Sequence, residues 1–371
     1  MRVLFDINHP AQVHLFKNAI RELKERGHTV HVTSREKEMT TTLLDEYGID
    51  HTPLSSEWNR FGPASLVGEW GIREVRMLQY ARRFDPDVIV SRLNPSVVHV
   101  STLLGCRNLI YQDTKLKPET LERVYHAVTC PFVDKICVPP DFSIPVPEEK
   151  QVSVGFQELS YLHPNWFTPD PESLREYGVD PENPYFVLRF AGWQAFHDVG
   201  NTGLSVEGKR ELVSYLAEHG DVYITSEAPL PPEFEQYKLT VPPHMIHDLL
   251  YYATLYVGDS ETMPTEAALL GTPAIRVNSM VGKGDISNFL TLEDYGLMFS
   301  FADEDSVFEK VEELLTESNA SDWEEKRDTL LSEQGDVTAS MLELVEEQAA
   351  IHQSKRRPLV SRIYDEIITR L

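Results

Sequence analysis

The run Tyr256-Val-Gly258-Asp-Ser260-Glu-Thr262-Met-Pro264-Thr-Glu266-Ala-Ala-Leu-Leu270-Gly271-Thr-Pro273-Ala-Ile275 joins an apolar strand, a polar turn and a helix stop. Leu255 to Val257 reads as a buried strand and Gly258 to Thr262 as a turn. Pro264 to Leu270 reads as a helix closed by Gly271, with Pro273 entering the next strand. A helix that starts at such a turn presents unpaired backbone N–H groups and a partial positive charge, so it attracts phosphate. Ser260 and Thr262 stand in the turn. Glu266 lies about one turn inside the helix, where a carboxylate can accept hydrogen bonds from a ribose. The arrangement suits a nucleotide diphosphate. A plainer reading fits the same spacing: Ser260 or Thr262 caps the helix and Glu266 completes a capping box.

Other residues carry the same two-sided reading. Arg189 leaves a strand and enters a loop containing Gly192, which suits bidentate contact to a diphosphate or a structural ion pair. Lys283, between Gly282 and Gly284, is a second phosphate candidate or an exposed surface lysine. Arg92 and Asn94 follow the apolar strand Val88 to Ser91, so they are expected on the ligand side of the sheet; Gln112 and Asp113 follow the next strand likewise. Pro242-Pro-His244-Met-Ile-His247 lacks a third metal ligand and reads better as a helix start with one exposed histidine. Asp85-Pro-Asp87 imitates a DxD metal motif but precedes its strand, at the wrong end of the sheet for a ligand. GxxxxGK[ST], GxSxG and HExxH are all absent from the sequence.

Strands and helices alternate to position these groups. Arg2 to Ile7, Thr29 to Thr33, Val88 to Ser91, Asn108 to Tyr111 and Lys135 to Val138 read as strands, separated by helices at Val13 to Arg26, Glu38 to Tyr47, Val67 to Arg83, Ser96 to Leu104 and Glu119 to Ala127. After the proline-rich Pro139 to Pro147, strands at Tyr185 to Phe190, Val222 to Thr225, Leu255 to Val257 and Ala274 to Val277 repeat the grammar. This alternation predicts an α/β fold with two doubly wound, Rossmann-like domains whose ligands meet in an inter-domain cleft. The expected boundaries are 1–155 for the first domain and 156–355 for the second. A last helix at 356–371 returns to the first.

At 371 residues the chain is long enough for two cores. Asp+Glu 59 against Lys+Arg 34 gives a formal charge of −25, a field that repels nucleic acid and anionic membranes. The acidic residues are dispersed and Arg exceeds Lys, the pattern of a high-salt cytoplasm. Cys106, Cys130 and Cys137 show no CxxC spacing, so buried thiols are expected rather than disulfides or zinc. With no signal-peptide pattern or membrane span, the reading is cytoplasmic.

Asp259-Ser260, Glu266-Ala-Ala and Leu-Gly271-Thr-Pro273 resemble the segment shared by non-hydrolysing UDP-N-acetylglucosamine 2-epimerases and MurG-like glycosyltransferases, which have the GT-B fold. More of the chain resembles the DUF354 family, uncharacterised and mostly archaeal. The matching pieces are Asp6-Ile-Asn8-His9-Pro10 with Val13-His14-Leu-Phe16-Lys17, Gly27-His28-Thr-Val30, and Val154-Gly155-Phe-Gln-Glu158-Leu-Ser-Tyr-Leu-His163-Pro164. The resemblance implies a nucleotide-sugar substrate, no separate cofactor and no metal. It places Asn8, His9 and His14 where such enzymes meet the acceptor or the sugar, with His14 as a general base or a helix cap. The epimerases imply catalytic acids at Asp113 and Glu122, and GT-B proteins bring His244 or Met245 near the base. Their His-Arg-Arg-Glu-Asn segment is replaced here by Arg189-Phe-Ala-Gly192-Trp, which counts against 2-epimerisation. The expected function is a metal-independent glycosyltransferase using a nucleotide-diphosphate sugar and a glycan or lipid-linked acceptor. The alternatives are a sugar-nucleotide epimerase or hydrolase and a silent nucleotide-sugar-binding protein. A homodimer is left open.

Overall fold

The structure is a computed structural model that describes residues 1–36, 38–56, 63–116, 118–140, 142–190, 203–226, 229–278, 281–282, 287–317 and 320–356. The chain divides into two compact units, one of residues 1–161 with 336–371 and one of residues 162–335.

Unit 1 holds seven strands: β1 (Arg2–Ile7), β2 (Thr29–Glu36), β3 (Thr52–Ser56), β4 (Val88–Arg92), β5 (Arg107–Tyr111), β6 (Lys135–Val138) and β7 (Gln151–Ser153). They lie in the order β3-β2-β1-β4-β5-β6-β7, every pair parallel. A parallel sheet is covered on both faces, which is why β1, β4 and β5 read as continuous apolar runs: Val3, Leu4, Phe5, Val88, Ile89, Val90, Leu109 and Ile110 are all buried. The long helix Val337–Arg356 packs on β4, β5 and the helix Pro10–Glu25 of the same unit. Its buried stripe is Met341, Leu342, Val345, Gln348, Ala349 and His352, the i, i+4 and i+7 spacing of one helix face. The helix expected near the C-terminus falls mostly on 357–371, outside the described residues.

Unit 2 holds β8 (Tyr185–Phe190), β9 (Asp221–Ser226), β10 (Leu255–Gly258), β11 (Ala274–Val277) and β12 (Met298–Phe301) in the order β12-β11-β10-β8-β9, again all parallel. The helix Thr262–Leu270 follows β10 and ends at Gly271, whose φ of 90° is a left-handed conformation that glycine adopts without steric cost. Three strands had no counterpart in the sequence reading: β3, β7 and β12. All three are sheet edges. An edge strand pairs on one side only; β3 and β7 are short and mostly polar, without the apolar run that marks an interior strand, and β12 is apolar but only four residues long.

In each sheet the strand order reverses once, between β1 and β4 in unit 1 and between β8 and β10 in unit 2. Ligands of open α/β sheets bind beyond the carboxyl ends of the strands at such a switch point. Asn8, Arg92 and Asn94 of unit 1 and Arg189 and Ser260 of unit 2 stand at or just beyond the carboxyl ends of the strands that flank these switch points.

Candidate functional site

In unit 2, sheet register puts Thr225, Arg189, Gly258, Arg276 and Ser300 in one row across β9, β8, β10, β11 and β12. The row is one residue from the carboxyl ends of β8, β9, β11 and β12 and at the last residue of β10. Arg189 is half-buried and its Nη1 donates to Thr225 Oγ1 at 3.2 Å. The Asp259 N–H donates to the Arg189 carbonyl at 3.2 Å, tying the β10 turn to β8. Gly258 is required by close approach. A Cβ there would lie 2.5 Å from the Tyr256 hydroxyl and 2.7 Å from the Arg189 carbonyl oxygen. Arg276 is almost fully buried, its guanidinium 4.0 Å from the Phe289 ring centroid.

The helix after β10 begins at Thr262 with Glu261 as its N-cap residue, whose side chain makes no cap hydrogen bond. Neither Ser260 nor Thr262 occupies the cap position. The first-turn amides lack a side-chain acceptor from the cap, the condition under which a helix N-terminus attracts an anion. Ser260 is half-buried and Thr262 exposed at that end. Glu266 lies deeper: it is buried, and its Oε1 is 3.1 Å from Nε2 of His247, itself buried and edge-on to Phe167. Of the two histidines at this helix start, His247 is thus a buried partner of Glu266, while His244 is half-buried. Lys283 lies outside the described residues.

In unit 1, a buried carboxylate organises the switch point. Asp6, fully buried at the end of β1, accepts from Arg73 Nη2 at 2.6 Å and Thr33 Oγ1 at 2.7 Å through one oxygen. The other oxygen accepts from Asn8 Nδ2 at 2.9 Å and Asn94 Nδ2 at 3.5 Å. Arg73 also donates to the Ser34 carbonyl and to Ser55 Oγ. Two of the candidate ligand residues, Asn8 and Asn94, are thereby held by one buried ion pair. Asn94 also caps the helix Pro95–Leu104, accepting from the Val97 N–H at 3.0 Å.

A second ion pair stands at the ends of β4 and β5. Arg92 grips both oxygens of Asp113, and its Nη1 donates to Gln157 Oε1 at 2.8 Å. Burial alone raises the Asp113 pKa, but the Arg92 charge and the hydrogen bonds from Arg92 and Thr114 outweigh it and hold the carboxyl below its usual range. A carboxylate so held is a weak base. Glu122 sits half-buried in the next helix, its Oε1 accepting from the Leu116 N–H at 3.2 Å.

The two histidines separate. His9 is extended, as Pro10 demands, and its Nδ1 caps the helix Pro10–Glu25 by accepting from the Ala11 N–H at 3.3 Å. His14 is not the cap. It lies one turn further in, buried between the Tyr47 and Tyr161 rings, with Nδ1 3.4 Å from the Tyr47 hydroxyl.

The structure therefore joins Asn8 to Asn94 and Arg92 to Asp113 in unit 1, and Arg189 to the Ser260 turn in unit 2. Sequence reasoning missed Asp6 as the hub, Arg73, Gln157, Tyr256 and Arg276. Arg73 lies mid-helix and Gln157 in a loop after an edge strand, so neither carries a local signal. The buried arginine at the end of the apolar run Ala274–Val277 was the one visible anomaly. Asp87, in the discounted DxD stretch, is structural: its Oδ2 accepts from the Arg2 N–H and Gln353 Nε2. Among the described residues, no group of three His, Cys, Asp or Glu is placed to hold a metal ion, and no helix is long and apolar enough to cross a membrane.

No family model and no curated protein matches this chain in sequence. Solved structures do match in fold. A UDP-GlcNAc 2-epimerase from Neisseria meningitidis bound to UDP-GlcNAc is 14% identical, with a TM-score of 0.65, over 94% of this chain and 100% of that one. The UDP-GlcNAc 2-epimerase from Methanocaldococcus jannaschii is 14% identical with a TM-score of 0.60, over 89% and 99%. The glycosyltransferase VinC in complex with dTDP is 14% identical with a TM-score of 0.59, over 94% and 100%. The likeness establishes the fold: two Rossmann-like units of the GT-B type.

Proposed function

We propose that the chain is a glycosyltransferase that takes a nucleotide-diphosphate sugar, with unit 2 holding the nucleotide and unit 1 the acceptor. One observation carries the reading: the N-terminus of the helix Thr262–Leu270, where the cap residue Glu261 makes no side-chain hydrogen bond, lies at the switch point of unit 2, tied to the strand that bears Arg189. Helix amides and a guanidinium are the groups that stabilise a diphosphate, and they stabilise it further as it leaves with the developing charge. In this reading the leaving group needs no protein-held metal. The solved structures bound to UDP-GlcNAc and dTDP are compatible with a nucleotide in the same fold. The resemblance to the DUF354 family and the high-salt origin suggested by the −25 charge belong to the same proposal.

Unit 1 suits a neutral acceptor. Its two arginines at the switch point are matched by Asp6 and Asp113. The buried polar atoms left without a hydrogen bond there include an acceptor, Asn8 Oδ1, and a donor, Gln157 Nε2. One of each fits hydroxyl groups of a glycan or a lipid-linked sugar. His14 is the proposed base and Asp113 its rival. The clamp on Asp113 favours His14 and also favours transfer over epimerisation by Asp113 and Glu122, since the held carboxylate accepts a proton poorly.

Calorimetric titration at high salt tests the donor site. UDP and UDP-GlcNAc are expected to bind, with dTDP titrated beside them, and a chain that binds none of the three is not a sugar-nucleotide protein. NMR of UDP-GlcNAc incubated without acceptor separates the chemistries, because inversion at C2 replaces this reading by the epimerase. Binding with no turnover across an acceptor panel leaves a silent binding protein.

A further inference from the structure

Tyr256 is fully buried in the centre of the unit 2 sheet, yet its hydroxyl makes no hydrogen bond of ordinary length and angle, although the Ser260 side chain stands near enough to act on it. Burying a hydroxyl without a partner is unfavourable, and phenylalanine would fill the same space without that cost. The hydroxyl is also aimed. Tyr256 and Gly258 lie two apart on β10 and share one face, and the ring reaches forward until its oxygen stands 2.5 Å from where a Gly258 Cβ would be. It thus ends beneath the Gly258–Ser260 turn, at the helix N-terminus. Burial raises the phenol's pKa well above its ordinary value; Asp259 and Glu266 add to this, while Arg189 and the nearby Ser260 side chain offset part of it. The group is a neutral O–H donor at any working pH.

We propose that Tyr256 is a positioning residue of the diphosphate site: its O–H donates to Ser260 Oγ when an anion occupies the turn, and the Ser260 O–H is thereby directed to a phosphate oxygen. The inference rests on the nucleotide-sugar reading and deepens it. Two neutral hydroxyls in series supply a hydrogen bond to phosphate without adding charge beside Asp259. Cooperative polarisation along the pair strengthens the terminal donor. Gly258 is then the companion of Tyr256, because a side chain there would displace the phenol oxygen from beneath the turn.

The test compares Tyr256→Phe, Ser260→Ala and the double variant by titration with UDP, with uridine as the control, alongside thermal melts without ligand. Tyr256→Phe is expected to melt at or above the wild-type temperature, since it removes a buried hydroxyl that makes no ordinary hydrogen bond. It should nonetheless weaken UDP about threefold to tenfold and leave uridine unchanged. Ser260→Ala should give a similar loss, and the double variant no more than either alone, because both break one relay. Unaltered UDP affinity in Tyr256→Phe overturns the proposal, as do additive losses or a lower melting temperature, which would mean that the hydroxyl serves the core. A wild-type chain that binds none of UDP, UDP-GlcNAc and dTDP overturns the nucleotide-sugar reading and this proposal with it; one that binds dTDP alone moves the same titrations to dTDP. A wild-type chain that binds UDP while the Phe variant matches it overturns this proposal alone.

Discussion

The two switch points start their helices in different ways. In unit 1, Arg73 and Arg92 are each spent on a carboxylate, Asp6 and Asp113, and the helices that start there are capped by His9 and Asn94. In unit 2, Arg189 stands against a threonine hydroxyl and the helix after β10 starts without a side-chain cap. One end is a preorganised network of paired charges and capped helices. The other has a helix start whose cap residue makes no side-chain hydrogen bond. In a chain of net charge −25, helix amides are one source of local positive charge that needs no basic side chain.

The largest effect that tests this contrast is on stability in unit 1. Arg73→Ala leaves the Asp6 carboxylate buried and unpaired, so urea denaturation should show a loss of about 3–5 kcal/mol. A loss under about 1 kcal/mol would mean that the network is held by its neutral members and that the ion pair is incidental. Next comes binding in unit 2. Arg189→Ala should weaken UDP by about 1.5–3 kcal/mol and uridine hardly at all, as removal of a charged hydrogen bond to phosphate requires. Equal losses for both ligands would make Arg189 a structural residue, and unit 2 would then resemble unit 1.

Asp113 gives the contrast a pH signature. Its folded-state pKa is depressed, so the stability it contributes is fully present above the unfolded carboxyl value of about 3.9 and is lost as pH falls through the folded value. Asp113→Asn should therefore be less stable than wild type at pH 7, by about 1–2 kcal/mol for a partly exposed bidentate pair. That gap should hold from pH 7 down to about pH 5 and shrink below about pH 4. A gap that widens on acidification would mean that the carboxyl is protonated more easily in the fold than outside it. Asp113 would then return as a candidate acid, and the epimerase reading with it.

How much of this was legible follows the same division. β1, β4, β5, β8, β10 and β11 announce themselves as apolar runs because they are interior strands covered on both faces. Asn8, Arg92, Asn94, Arg189 and Ser260 could then be placed at carboxyl ends by counting. Three edge strands, β3, β7 and β12, could not be seen, whereas the fourth, β9, was read from Val222 to Thr225. Nor could the ion pairs, since Arg73 meets Asp6 across 67 residues and Arg92 meets Asp113 across 21. Local spacing suggested that Glu266 faces a ribose or a cap; its hydrogen bond to His247, 19 residues away, depends on how two helices pack. The helix Val337–Arg356 was hidden for another reason. The polar Gln348 and His352 interrupt its buried stripe, and Gly335 reads as an end rather than as the hinge before a new element.

The smallest expected effect separates the two helix starts themselves. The Asn94 Oδ1 satisfies the Val97 amide, so Asn94→Ala should cost unit 1 about 1 kcal/mol. Glu261 occupies the cap position in unit 2 but makes no such bond, so Glu261→Ala should change stability by less than about 0.5 kcal/mol. Its effect should appear in binding instead. Removing a carboxylate from the mouth of an anion site lowers repulsion, and UDP should bind slightly more tightly at low salt, with the gain fading as salt screens it. If Glu261→Ala destabilises the fold as much as Asn94→Ala does, the helix after β10 is capped in solution. Its amides would then be committed within the chain, and the potential at unit 2 would rest on Arg189 alone.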